Sequence, residues 1–201
     1  MASTPVFTAI VHTYNRPALL REAVSALLRQ TYPHLEIILI NNGAVPQSID
    51  YLNEVAAADK RVNLIHFAEN QFSWDDPHRM IRVCYNAALA AATGDYVWIQ
   101  DDDDVLAEDY AEKMVALFQE NSECTTAAGL PVSIDIDGNL NPIQFKDRNV
   151  RSRYTPGQEM ALNNLLGDGG MFAAPGTIFT IKRDILVHAG GYHNAIESSQ
   201  L

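Results

Sequence analysis

Asp95-Tyr96-Val97-Trp98-Ile99-Gln100-Asp101-Asp102-Asp103-Asp104 decides the fold. The apolar run Tyr96 to Ile99 is too short for a helix and has the aromatic and β-branched content of a buried strand, expected over 95–99. Four carboxylates at its end are costly: at about 5 Å and an effective dielectric near 20, each adjacent pair repels by roughly 3 kcal/mol. Solvent or a bound cation has to offset that. Because the strand anchors the acids at the rim of a core, they lie where open sheets bind their ligands.

Working outward, Val6 to Thr13 reads as another buried strand, stopping at the turn-prone Asn15-Arg16-Pro17. Leu20, Ala23, Val24, Leu27 and Leu28 then recur at helical spacing, with Pro17 in the first turn and Thr31-Tyr32-Pro33 closing the segment. Leu35 to Ile40 is a strand closed by Asn41-Asn42-Gly43; a helix is expected over 49–58, a strand over 62–67 and an alanine-rich helix over 78–92 that stops at Thr93-Gly94. Strands alternating with helices predict an α/β chain, a Rossmann-like and mostly parallel central sheet with helices on both faces. Its ligand crevice lies off the strand ends His12-Thr13, Asn41-Asn42, Phe67 to Asn70 and Asp101 to Asp104.

Past Asp104 the pattern becomes mixed α+β. A helix is expected over 110–118, a hairpin over 125–145 around Asp137-Gly138-Asn139, an irregular charged stretch over 146–156 and a short helix over 158–166. A strand over 177–181 and a short helix precede Gly190-Gly191-Tyr192. With no linker or repeat in sight, residues 1–201 are expected to form one catalytic domain, 1–104 its nucleotide-binding half and 105–201 its acceptor-side half. The sequence stops at Ile196 to Leu201, where a new element starts, so a missing C-terminal part is expected.

Composition narrows the partners. The 201 residues carry a formal net charge of -11, which disfavours nucleic acid and anionic membrane surfaces, since both need basic patches. Any phosphate-bearing ligand must then bring a counterion. Cys84 and Cys124 form neither a disulfide framework nor a metal-type pair. With no signal-like N-terminus and no apolar run of spanning length, the expectation is a cytoplasmic protein without a transmembrane segment.

Four stretches in order carry a family resemblance. Ala9-Ile10-Val11-His12-Thr13-Tyr14-Asn15-Arg16 resembles an opening strand with a T-Y-N-R turn, and Arg29-Gln30-Thr31-Tyr32-Pro33 resembles a Q-T-Y-P stretch. Ala92-Thr93-Gly94-Asp95-Tyr96 into Asp101 to Asp104 resembles an A-x-G-D-Y strand with a D-x-D-D metal turn, and Lys182-Arg183 through Gly190-Gly191-Tyr192 resembles a late segment ending G-G-F/Y. Together they are similar to the family-two glycosyltransferases of the A-type nucleotide-sugar fold.

That resemblance implies inverting transfer of a sugar from a nucleotide diphosphate donor, a UDP-sugar foremost, to a hydroxyl of a glycan or lipid-linked glycan, with Mn²⁺ or Mg²⁺ as cofactor. It implies Asp103 as the leading metal ligand, Asp101 on the metal or the ribose, and Asp102 between them. A turn or helix cap is the competing role, on nearly even terms for Asp102 and Asp104. Thr13, Tyr14 and Arg16 are expected beside the nucleotide. His12 is expected to be a packed polar residue rather than a catalyst.

Asn41-Asn42-Gly43-Ala44 departs from the family's D-D-G-S: an amide both donates and accepts to a base, where a carboxylate only accepts, and an Asn-Gly turn explains Asn42 equally well. Asn70, Trp74, Asp75 and Asp76 are candidates for the donor pocket, and Arg82 with Asn86 matches a polar pair near the nucleotide, a solvated helix face being the alternative. The general base is expected to be Glu197, the acid after Gly190-Gly191-Tyr192, with Asp168 as substitute and His193 as a less favoured base or metal ligand. Asp135 and Asp137 fit a hairpin turn better than a calcium loop. A sugar nucleotidyltransferase is disfavoured because Val11 to Pro17 lacks a glycine-rich phosphate loop. A noncatalytic nucleotide-sugar module stays open, favoured by Asn41-Asn42 and the missing E-D pair.

Overall fold

A computed structural model of the chain describes residues 4–129, 132–135, 137–139 and 179–192. The chain divides into two compact units, 1–127 with 179–201, and 128–178. In the first unit β1 (Phe7–Thr13), α1 (Pro17–Leu28), β2 (Leu35–Asn42), α2 (Pro46–Ala58) and β3 (Val62–Phe67) follow in order. Then come a π-helical turn (Ile81–Tyr85), α3 (Asn86–Ala91), β4 (Tyr96–Gln100), α4 (Tyr110–Glu120), β5 (Thr126–Ala128), β6 (Phe179–Lys182) and α5 (Arg183–His188).

The six strands form one sheet in the order β3-β2-β1-β4-β6-β5. The first four are parallel, and β6 runs antiparallel to β4, pairing Val97 with Ile181 and Trp98 with Thr180. From β1 the chain moves outward to β2 and β3, then crosses back to place β4 on the other side of β1. The C-terminal tips of β1 and β4 therefore flank the topological switch point, where open sheets of this kind bind ligands. This is why Thr13 and the aspartate run become neighbours.

Alternate residues of each strand feed two cores. Phe7, Ala9, Val11, Ile37, Leu39 and Trp98 pack under the helices that carry Leu20, Leu52 and Phe118. Ile10, Ile38, Ile40, Val97 and Ile99 face Cys84, Ala88, Leu89 and Leu186. Strands buried on both faces read as continuous apolar runs, which is how the sequence displays them. One charge interrupts β2: Glu36 is buried, accepts from Thr8 Oγ1 at 2.6 Å, and takes the Thr93 amide at 2.9 Å and hydroxyl at 3.0 Å.

Three expectations need correction. Helix α2 begins at Pro46 rather than Ile49, because the Val45 carbonyl accepts the Ser48 and Ile49 amides and proline at N1 forfeits no hydrogen bond. The helix expected over 78–92 contains the π-turn, which seats Cys84 and Tyr85 in the second core. Gly94 is not a helix stop: a Cβ there would lie 2.3 Å from Thr8 Oγ1 and 2.8 Å from the Val6 carbonyl, so glycine permits close approach to β1. The expected elements over 140–145 and 158–166 lie outside the described residues.

Candidate functional site

At the switch point, strand β1 delivers Thr13 and the turn after it delivers Arg16. Thr13 Oγ1 donates to Asp102 Oδ2 at 2.7 Å, and Arg16 Nη1 reaches Asp102 Oδ1 at 3.5 Å while pairing directly with Asp103 Oδ2. Asp102 is only 6% exposed, so its carboxylate is spent on holding the two turns together. Asp101 and Asp103, whose side chains are 41% and 42% exposed, keep oxygens open to solvent. The acidic turn is shaped from beneath by Gln100, fully buried, whose amide Nε2 donates to the Asp104 carbonyl.

Asp101 pays for its neighbours. Burial first, then the charges of Asp104, Asp103 and Asp102, push its carboxyl up to about 6. Its closest cationic candidate is His12, whose Nδ1 lies 3.8 Å from Asp101 Oδ1. Burial holds that imidazole below its ordinary value, against the opposing pull of Asp102. His12 Nδ1 also lies 3.0 Å from the Tyr85 hydroxyl, with the two rings edge to face. His12 is thus packed, as expected, and packed against the acidic turn. Tyr85 and Gln100 were not singled out in the sequence; the one available signal was a lone glutamine between an apolar strand and four acids.

The tips of β2 and β3 form a second cluster. Asn41, 4% exposed, donates from Nδ2 to His66 Nδ1 at 3.0 Å and accepts the Ala44 amide at 2.6 Å. Asn42, 2% exposed, donates to Asn70 Oδ1 at 3.0 Å and accepts from the Gln71 amide at 2.8 Å. The Cys84 thiol, pushed up to about 11 by burial, lies 3.6 Å from the same Asn42 oxygen. Both amides therefore fasten the loops around them. Gly43, at φ 63°, is required because a Cβ would meet the Asn70 amide nitrogen at 2.4 Å.

Arg82 forms a two-pronged pair with Asp76, which holds that carboxyl below its usual range. Asn86, one turn on, closes on the distant Tyr192: Nδ2 donates to its carbonyl at 3.0 Å and Oδ1 accepts its amide at 2.7 Å. The Tyr192 ring meets Tyr85 edge to face at 5.7 Å, so Gly190-Gly191-Tyr192 is docked beside His12 and the acidic turn. Asn86 is thus a clamp on this segment. Tyr14 is 42% exposed, its carbonyl accepting the Val45 amide at 2.9 Å. Trp74 is 87% exposed, and Asp75 is also exposed.

Glu197, Asp168 and His193 lie outside the described residues. In the second unit Asp135 accepts the amides of Asp137 at 3.0 Å and Asn139 at 2.8 Å, which makes this segment a turn built on one carboxylate. Among the described residues, no three His, Cys, Asp or Glu side chains form a ready-made metal cage. Mg²⁺ and similar hard ions commonly take one or two protein carboxylates and complete their shell with water and substrate phosphates. The open oxygens of Asp101 and Asp103, beside a guanidinium already acting as counter-ion, fit that kind of ion.

Comparison with known proteins agrees with this geometry. An uncharacterized glycosyltransferase of Haemophilus influenzae is 31% identical over 135 residues, 67% of this chain and 50% of the relative, so the chain spans about half the length of the curated relatives it matches. Two solved structures share the fold: Staphylococcus aureus TarS 1–349 in complex with UDP-GlcNAc, and the mannosyltransferase PcManGT of Pyrobaculum calidifontis with GDP-Man and Mn²⁺. The first has a TM-score of 0.61 at 17% identity, covering 92% of this chain and 47% of TarS. The second has a TM-score of 0.62 at 18% identity, covering 96% and 49%. The fold is the A-type glycosyltransferase fold. With the family model matching residues 8–188, the chain belongs to glycosyl transferase family 2.

Proposed function

We propose that this protein is a metal-dependent, inverting glycosyltransferase that moves a hexosyl unit from a nucleotide-diphosphate donor, UDP-sugar foremost, to a hydroxyl of a glycan or lipid-linked glycan. The observation that carries the reading is the joining of Thr13 and Arg16 to Asp102 and Asp103 at the switch point. Solved relatives of the same fold holding UDP-GlcNAc, or GDP-Man with Mn²⁺, support the class of donor and cofactor.

In this reading Asp103 and Asp101 would hold Mn²⁺ or Mg²⁺, and such an ion would supply positive charge to offset that of the diphosphate leaving group. Thr13 and Asp102 keep the acidic turn in place. Arg16, half exposed, is free to exchange Asp103 for a phosphate oxygen as the donor arrives, which preserves charge balance in an acidic protein. Tyr14 lies at the nucleotide, Asn41, Asn42 and Asn70 set the walls around the base, and Arg82 contributes positive charge. Glu197, or Asp168 in its place, takes the acceptor proton. Residues 1–201 work as one catalytic domain in two halves, and a reducing cytoplasm suits the two free cysteines.

Titrating UDP and GDP with and without Mn²⁺, alongside a transfer assay from UDP-sugars, tests this. Metal-dependent UDP binding that Asp103→Ala abolishes is the expected result. Donor binding with neither transfer nor hydrolysis would select a noncatalytic module.

A further inference from the structure

The loop from Phe67 to Asp76 carries an exposed aromatic pair to which the proposed function above assigns no role, although the sequence made Trp74 a candidate for the donor pocket. Trp74 is 87% exposed and Phe72 42%, their rings edge to face with centroids 5.1 Å apart. Large aromatics normally hide. This one is displayed on a loop fixed at many points. Asn42 holds Asn70 and Gln71, Asn70 Oδ1 accepts the Phe72 amide at 2.9 Å, Ser73 Oγ accepts the Asp75 amide at 3.3 Å, and Asp76 pairs with Arg82. A stiff loop presenting indole to water is a binding surface arranged in advance, with little ordering left to be done on contact.

We infer that Trp74, braced by Phe72, is a stacking platform for a neutral pyranose ring of the acceptor glycan. The inference rests on the proposed glycosyl transfer. Charge selects the occupant: the exposed acids Glu69 and Asp75 share the loop with the pair, whereas Asp76 is spent on Arg82 and Arg79 bonds Gln71. The loop is therefore near charge balance, which suits a neutral ligand, and leaves two carboxylates to accept from sugar hydroxyls. An aromatic face is electron-rich and meets the C–H face of a pyranose favourably. Openness selects it too, since a pocket for a small ligand encloses most of that ligand's surface, whereas a long glycan needs only one face supported.

The test uses the full chain and its own fluorescence. Of the two tryptophans, Trp98 is 3% exposed, so acrylamide quenching reports on Trp74. Cellotetraose, chitotetraose and maltotetraose are titrated into the wild type, and binding is compared calorimetrically with Trp74→Phe and Trp74→Ala. At least one oligosaccharide should shield Trp74, bind the Phe variant nearly as well, and bind the Ala variant about tenfold more weakly, with UDP and Mn²⁺ binding alike to all three proteins. Failure of all three to shield Trp74, shielding by UDP alone, or unchanged oligosaccharide binding by Trp74→Ala would each overturn the platform. Loss of UDP binding from every form, with shielding intact, would sink the proposed transferase chemistry and leave the platform standing.

Discussion

Thr13 and Asp102, 89 residues apart in sequence, meet through a buried hydroxyl-to-carboxylate bond of 2.7 Å. That bond connects the end of β1 to the acidic turn after β4 and so assembles the candidate site from the two strands that flank the switch point. Thr13→Val keeps the shape and deletes the donor, leaving a buried carboxylate oxygen unsatisfied. The expected cost is about 1–3 kcal/mol, read as a lower urea midpoint with unchanged m-value, and Thr13→Ser should recover most of it.

Arg16 should behave differently. Its side chain is half exposed, so Arg16→Gln is expected to leave thermal stability nearly unchanged, since exposed ion pairs contribute little. Nucleotide affinity in the presence of Mn²⁺ should fall about tenfold, because a charge-assisted contact to the diphosphate is lost. Calorimetry against differential scanning fluorimetry separates the two effects. Equal losses in both would mean that Arg16 is structural.

Asp101 sets a pH dependence. Its carboxyl, raised to about 6 in the folded protein against about 4 in an unfolded chain, binds its proton more tightly when folded. The resulting stabilisation is complete below about pH 4 and is lost as pH climbs through about 6. Without divalent ions, Tm should therefore decline over this interval relative to Asp101→Asn, which should be flat there and more stable at pH 7. Added Mn²⁺ should reverse the decline in the wild type only.

Gly191 and Asn86 form a testable pair. Gly191 holds φ 89°, and an added Cβ would lie 2.4 Å from Asn86 Oδ1. Gly191→Ala should cost about 1–3 kcal/mol in backbone strain, plus whatever the clamp on Tyr192 loses. Asn86→Ala should destabilise as well, and the double variant should fall short of the sum, since both changes release the same segment. Strict additivity in chemical denaturation would show that the clamp is not a unit.

Much of the fold was legible because local signals agreed with each other. The limits of β3 match the strand expected over 62–67, and β1 and α1 are set by the turn at Asn15-Arg16-Pro17. What could not be read was decided across the sheet. Strand β2 runs on through Asn41 and Asn42 because these pair with His66 and Phe67 of β3, a register no single segment contains. The π-turn answers to Tyr85 meeting His12 and Cys84 meeting Asn42, contacts 73 and 42 residues away in sequence. At the site, the aspartate run announced itself, whereas the commitment of Asp102 to Thr13, and of both asparagines to their own loops, depends on burial, which composition does not report.

Glu36 carries a further consequence. A parallel sheet with apolar residues on both faces could slide by a residue and still look greasy on either side, so hydrophobic pattern alone would tolerate misaligned strands. Thr8 sits directly opposite Glu36 in the β1–β2 ladder, and with Thr93 it supplies the donors that this carboxylate requires. Any shifted alignment abandons an anion in oil. The foot of the sheet thus acts as a key in a lock, and the strand tips at the far end line up because only one alignment lets the key turn.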